Sequence, residues 1–378
     1  MADLGAAVLK VELPQGDVSR DFGPFPLDKP DPETSGLHLY LNANKEGVEL
    51  DYRTPTGRKL LYALLRDVDV FLCDLQPREL AAWGLAYSSL AKELPGLIMT
   101  SVTPFGLTGP YRDFLSSDLL SWQATGISDR HLGLPGQEPL RAAWYLSDHW
   151  AGIHAAGATL AACAARSRTG LGQQVDISAS DVIAMMIIGY QPLTTYFATG
   201  ETQKRTGYVS PYAAPCALLP CKDGWVYLAA LNLKQWNGLR KSMDEPEWAD
   251  NELFNIESPM ERMQYGEEIY LFLEPWLLQK TKEELFDLCQ RNGTPVTPAY
   301  TMADLSRNAH LAARGFFSEA DTPAGRLKMP GAPFKMSATP WSMRKTASKL
   351  GEDNELVFCG RLGLTHWELA GLMRARII

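Results

Sequence analysis

Basic residues are in deficit: 36 Lys and Arg against 44 Asp and Glu leave a formal charge of −8. No positive footprint of the kind nucleic acid requires is present, which argues against that class of partner. Long apolar runs are also lacking. None reaches the roughly 20 residues of a membrane-spanning helix, and no N-terminal stretch reads as a signal peptide. Cysteine is sparse: Cys73, Cys163, Cys216, Cys221, Cys289 and Cys359 are scattered. The close pair Cys216 and Cys221 has no second pair to complete a zinc site. Buried free thiols in a reducing compartment are the expectation, and with them a soluble cytoplasmic protein. Serine-elbow, phosphate-loop and kinase signatures are missing as well.

What is present suffices for a large core. The 378 residues are 46% hydrophobic and 21% charged, the balance of a globular chain of about two domains. "MADLGAAVLKVELP" reads as the end of a helix, a turn at Gly5 and a strand from Ala6 to Glu12, so an upstream strand is expected to be missing. "GVELDYRTPTGRKLLYALLRDVDVFLCDL" gives strand, helix and strand. Thr54 suits the N-cap, Pro55 the first helical position, and Leu60, Leu61, Leu64 and Leu65 form the apolar face. Further alternation predicts an α/β fold with a mostly parallel sheet covered on both faces.

From Pro211 the texture changes to short strands around a Lys222-Asp223-Gly224 turn, then amphipathic helices such as Lys282 to Arg291. The expected organisation is a large Rossmann-like domain over residues 1–195, an inserted smaller α+β domain over 211–300, and a segment over 301–378 that returns to the large domain, with Thr365 capping a last helix.

One carboxylate stands out. In "YLSDHWAGIHAAGATLAACAARSRTG" Asp148 is the lone acid at the head of a small-sided apolar run, expected to be helical from about His149 to Arg166. Taken alone it reads as an N-cap. The same placement also holds a carboxylate in one orientation, away from bulk water, where it can act as an acyl-accepting nucleophile. His149 and His154 are five apart, on different sides of a helix, and read as structural rather than metal-binding. "RTGLGQQ" follows a helix and precedes a strand, the reverse of a phosphate cradle, so it reads as a turn. Asp74, Leu75 and Gln76 directly follow an apolar strand, where a nucleotide-containing ligand binds in doubly wound sheets. Arg53 stands at a comparable strand end and suits a phosphate.

Several stretches together resemble the family III CoA-transferases, the family of formyl-CoA transferase and carnitine CoA-transferase. They are "MADLGAAVLKVE", "LNANKEGVELDYRTPTGRKLL", "VDVFLCDLQPREL", "FGLTGPYRD", "LSDHWAGIHAAGATLAA", "RTGLGQQVDIS", "RNGTPVTPAYTMADL", "RGFFSE" and "GAPFKMSATP", in order along nearly the whole chain. The resemblance implies that Asp148 is the nucleophile. It would attack the donor acyl-CoA, such as succinyl-CoA, to give a mixed anhydride and then an aspartyl-CoA thioester, from which CoA passes to an acceptor carboxylic acid. It implies CoA contacts at Leu50 and Arg53, at Asp74, Leu75 and Gln76, and at Leu115, Ser117 and Asp118. No tightly bound cofactor is implied; CoA thioesters are substrates. The family assembles as an interlocked homodimer with the active site between subunits.

Departures are visible. The family usually has Asn-Phe where Asp74-Leu75 stand, and an arginine where Ala82 stands, a loss that Arg78 or Arg112 would have to compensate. The α-methylacyl-CoA racemases, a related branch, use a histidine where Ser117 stands, and serine has no suitable pKa for that proton transfer. The altered 74–76 loop raises an alternative, a weakly catalytic subunit of a heterodimeric transferase. Trp144, Tyr145, Trp150 and Tyr208 hint at a bulky or aromatic acid, a hint that core packing explains equally well.

Overall fold

The computed structural model describes every residue except 144, and every side chain except those of residues 144 and 187–190. Among the described residues ten strands occur: β1 Leu9–Glu12, β2 Glu46–Glu49, β3 Val70–Cys73, β4 Ile98–Thr103, β5 Gln174–Ser178, β6 Cys216–Cys221, β7 Gly224–Ala229, β8 Val296–Pro298, β9 Phe317–Thr322 and β10 Gly325–Pro330. The chain forms two compact units. The first takes Met1–Leu115, Asp148–Val182 and Asn308–Ile378; the second takes Ser116–Ser147 and Ile183–Arg307.

In the first unit β3, β4 and β5 form a parallel sheet with β4 central. Its sequence "IMTSVT" is buried almost throughout, as a strand covered on both faces must be. The polar Thr100 is accommodated because its hydroxyl meets that of Thr159 at 2.7 Å, on the helix Leu146–Thr169. β1 pairs in parallel with β2, and β9 with β10 as a hairpin. β1 begins at Leu9 rather than Ala6 because β2 offers only four residues, Glu46 to Glu49, for pairing.

The helix Pro55–Leu65 is as its sequence predicts. Thr54 Oγ1 accepts from the Gly57 N–H at 3.0 Å, Pro55 is the first helical residue, and Leu61, Leu64 and Leu65 enter the core beside Val48, Leu50 and Phe358. A buried ion pair ties the β1–β2 layer together. The Arg20 guanidinium, 2% exposed, donates to both Glu12 oxygens at 2.8 Å and to the Ser348 carbonyl at 3.1 Å. The last stretch of chain completes this layer: Asp353 accepts from the Gly47 N–H at 2.7 Å, and the Ile377 carbonyl from the Asp51 N–H at 2.7 Å.

The second unit holds the antiparallel sheet β6–β7–β8. The expected Lys222–Asp223 turn joins β6 to β7, and the helix Lys282–Arg291 starts at a Thr281–Glu284 capping box. Trp236, Leu228, Leu239 and Ile269 are wholly buried in its core. Arg262 is buried with them. Its charge is met by the carbonyls of Ile256, Ala214 and Ala230 and by the Trp236 ring, 5.2 Å away. The apolar stretch after Ser178 is two helices, Ala179–Met185 and Ile187–Thr199, because Met186 adopts an extended conformation between them. The six cysteines are free, three of them buried. Among the described residues no helix is long and apolar enough to cross a membrane.

Candidate active site

The helix Leu146–Thr169 sets the site. Near its end Arg166 donates to the carbonyls of Asp69 and Gly96, at 3.3 and 3.0 Å, and pairs with the Asp69 carboxylate at 2.6 Å. Asp69 and Gly96 precede β3 and β4, so the helix ends at the amino edge of the sheet and runs antiparallel to its strands. Thr159 sits against the middle of β4. Asp148, eleven residues earlier, is therefore roughly 16 Å further along the axis, beyond the carboxyl edge, at 1.5 Å per residue. That edge is where open α/β sheets bind ligands. Packing is through Ala151, Ala155 and Ala162, all buried, whereas Asp148, His149, Gly152 and Ile153 are exposed on the single chain.

Asp148 is not the N-cap that it resembles in isolation. The helix starts three residues earlier than expected, at Leu146, and Asp148 is its third residue. The residue before it, Tyr145, is left-handed at φ 52°. The reason lies elsewhere in the chain. The Asp118 carboxylate accepts from the Ser147 N–H at 2.8 Å and from the Ser147 hydroxyl. An orphan donor of the first turn is thus satisfied from outside the helix. In the first turn a carboxylate also gains from the positive end of the helix dipole.

Two of the regions expected to contact CoA, Leu50 to Arg53 and Asp74 to Gln76, follow strand ends of the first unit. Leu50 follows β2 and is fully buried. Arg53 is solvent-accessible and grips Asp51 with two bonds, Nε to Oδ1 at 2.8 Å and Nη2 to Oδ2 at 3.0 Å, which hold the Asp51 pKa below its ordinary value. Asp74 follows β3; crowding by surrounding protein raises its pKa, and the Asp17 and Glu79 carboxylates add to this. Tyr52 is pushed up to about 12 by burial and then by the Asp74 charge. Leu75 packs against the core, and Gln76 heads the helix Pro77–Ala82. Gln76 Nε2 donates to the Phe114 carbonyl at 3.4 Å, bringing the 74–76 loop to the segment that ends in Leu115, a residue 77% exposed. Ser117 and Asp118 belong to the second unit, as N-cap and first residue of the helix Asp118–Gln123.

Arg58 and Lys59 were not singled out by the sequence. An open groove between the helices Pro55–Leu65 and Pro77–Ala82 is lined by Arg58, Lys59, Tyr62, Arg66 and Trp83. Arg58 Nη1 lies 3.4 Å from the Ala82 carbonyl, so a guanidinium stands at the position where the resemblance lacks one. Their one signal in the sequence is a place in the first turns after the Arg53 loop. Arg112 pairs with Asp113 at 3.2 Å. His154 Nδ1 lies 2.8 Å from the Trp150 carbonyl, a bond within its own helix. Among the described residues no cluster suits a metal ion. Of the four aromatic residues noted in the sequence, Trp144 lies outside the described residues, and Tyr208 is exposed in the second unit.

Known proteins resemble this chain along its length. The chain is 32% identical to the succinyl-CoA–D-citramalate CoA-transferase of Chloroflexus aurantiacus over 100% of its length and 92% of that protein's. It is 31% identical to a subunit of the succinyl-CoA:(R)-benzylsuccinate CoA-transferase of Thauera aromatica, over 95% and 89%. The crystal structure of a CAIB/BAIF family protein from Brucella suis superposes with a TM-score of 0.81 at 28% identity, covering 95% of this chain and 92% of that one. The model of CoA-transferase family III matches residues 1–354. A family match over residues 1–354, with relatives above 30% identity over nearly the whole chain, makes this chain a member of CoA-transferase family III, and a CoA-transferase.

Proposed function

We propose that the protein moves CoA from succinyl-CoA to a second carboxylic acid, with Asp148 as the nucleophile. The observation that carries the reading is the place of Asp148: the first turn of a helix whose start lies beyond the carboxyl edge of the parallel sheet. The donor follows from the relatives, both named for succinyl-CoA.

The Asp148 carboxylate attacks the thioester carbonyl; the C–S bond breaks and CoA leaves as thiolate, giving a mixed anhydride. The thiolate attacks the aspartyl carbonyl, forming an enzyme thioester and releasing the donor acid as its carboxylate. The acceptor carboxylate attacks that thioester, the thiolate leaves again, and its attack on the acceptor carbonyl yields the new acyl-CoA and restores Asp148. Each intermediate stays activated only while water is kept out. Asp148 is exposed on the single chain, so this chemistry calls for a partner subunit over the site, in the interlocked dimer of the family. Arg53, the 74–76 loop and Leu115 line the CoA side, and Leu50, fully buried, supports the Arg53 loop from the core. Arg58 and Lys59 supply phosphate-facing charge in place of the arginine replaced by Ala82.

The test is turnover by the purified chain with succinyl-CoA and a panel of carboxylic acids, new thioesters being detected by mass spectrometry. Asp148→Ala abolishes transfer, and hydroxylamine traps an acyl-aspartate at residue 148 of the unsubstituted protein. Normal turnover by Asp148→Ala refutes the mechanism. A second reading, that the chain is one subunit of a heterodimer, draws on the relative named as a subunit; transfer by the lone chain eliminates it.

A further inference from the structure

We infer that Asp118 is a positioning residue that sets the Asp148 carboxylate for attack, rather than a contact to CoA; the inference rests on the Asp148 reading above. Helices leave the N–H groups of their first turn without internal partners, and a side chain at the N-cap ordinarily takes one of them. Here the residue before the helix is Tyr145, which has no acceptor suited to that task and is left-handed at φ 52°. The acceptor comes instead from 29 residues upstream: Asp118 Oδ1 takes the Ser147 N–H at 2.8 Å and the Ser147 hydroxyl as well. Ser147 is completely buried. Both bonds fall on the residue adjacent to Asp148. Asp118 is itself anchored as the first residue of the helix Asp118–Gln123, behind the Ser117 N-cap. The helix Asp118–Gln123 thereby holds the residue next to the nucleophile.

A phosphate-rich substrate gains nothing from a nearby anion, whereas an attacking group misplaced by about 1 Å costs on the order of a hundredfold in rate.

The test is steady-state kinetics of Asp118→Ala, Asp118→Asn and Ser147→Ala, with hydroxylamine trapping of each. Asp118→Ala removes both acceptor bonds: kcat and the trapping rate fall about tenfold to a hundredfold while KM for acyl-CoA stays within about twofold. Asp118→Asn keeps a carbonyl oxygen toward Ser147 and restores most of kcat, a rescue that a loss of general stability does not show. Ser147→Ala, which loses one of the two bonds, falls between. A rise in KM for acyl-CoA with kcat unchanged assigns Asp118 to CoA and overturns the inference, as does an Asp118→Asn variant no better than Asp118→Ala. If Asp118→Ala does not fold, Ser147→Ala and Asp118→Asn decide: an unchanged kcat in Ser147→Ala or a hundredfold loss in Asp118→Asn overturns it. Trapping in the unsubstituted protein reads Asp148 on its own; its failure sinks the proposed function and this inference together, whereas trapping with undiminished Asp118→Ala turnover sinks this inference alone.

Discussion

Replacing His38 by glutamine flattens the acid sensitivity of the β1–β2 layer. The imidazole is 2% exposed; its Nδ1 lies 3.1 Å from both Ser19 Oγ and Asn42 Nδ2, and its Nε2 is buried without a partner. A protonated ring has only donors to offer, and the Asn42 amide facing it donates too. Burial first, and the Arg20 guanidinium and Lys10 ammonium next, lower the His38 pKa from 6.5 to about 4, against the opposing pull of Glu12 and Asp17. The sign follows from proton counting. As pH falls below 6.5 the unfolded chain takes up a proton that the folded chain refuses until about 4, so stability drops across that window. Between pH 7 and pH 5 the loss is about 2 kcal/mol, on a scale of ~1.4 kcal/mol per pKa unit. The assay is hydrogen exchange of a peptide spanning β2, corrected for intrinsic rates, in both proteins at each pH. The opening free energy of the unsubstituted protein should fall about 2 kcal/mol further than that of His38→Gln. Parallel pH dependences would show that His38 titrates normally and that the reasoning fails.

Other outcomes are expected elsewhere. A Cβ on Gly57 would stand 2.0 Å from the Asp51 carbonyl oxygen, a backbone atom. Gly57→Ala should therefore lower stability by about 1–3 kcal/mol in urea unfolding and disturb the Arg53 loop. Arg53→Gln should raise KM for acyl-CoA about tenfold with little change in kcat, through the loss of a charged phosphate contact; an unchanged KM removes Arg53 from the CoA site.

Local signals were legible where one short segment carried them. Thr54 and Pro55 announced their helix, Lys222 to Gly224 their turn, and Lys282 to Arg291 a helix found with those bounds. The family-level pattern made the α/β class and the CoA-transferase class readable in the same way. What stayed hidden depends on residues distant in sequence. The start of the Leu146–Thr169 helix is set by Asp118, which no periodicity near Asp148 reveals. Arg58 became a candidate only when the fold laid it over Ala82. The break at Met186 falls in an unbroken apolar run, where hydrophobicity cannot distinguish one helix from two.

The order in which the ribosome delivers these segments has a consequence. β2 gains its Asp353 bond to Gly47 only when a residue 306 positions later has been made. At about 5–20 residues per second that interval is about 15–60 s. During it every residue of Ser116–Ser147 and Ile183–Arg307 emerges, so the second unit has all its sequence in hand while the first still lacks its closing piece. The nascent β1–β2 pair spends that time with an unfinished edge, a surface that a chaperone at the exit tunnel would shield.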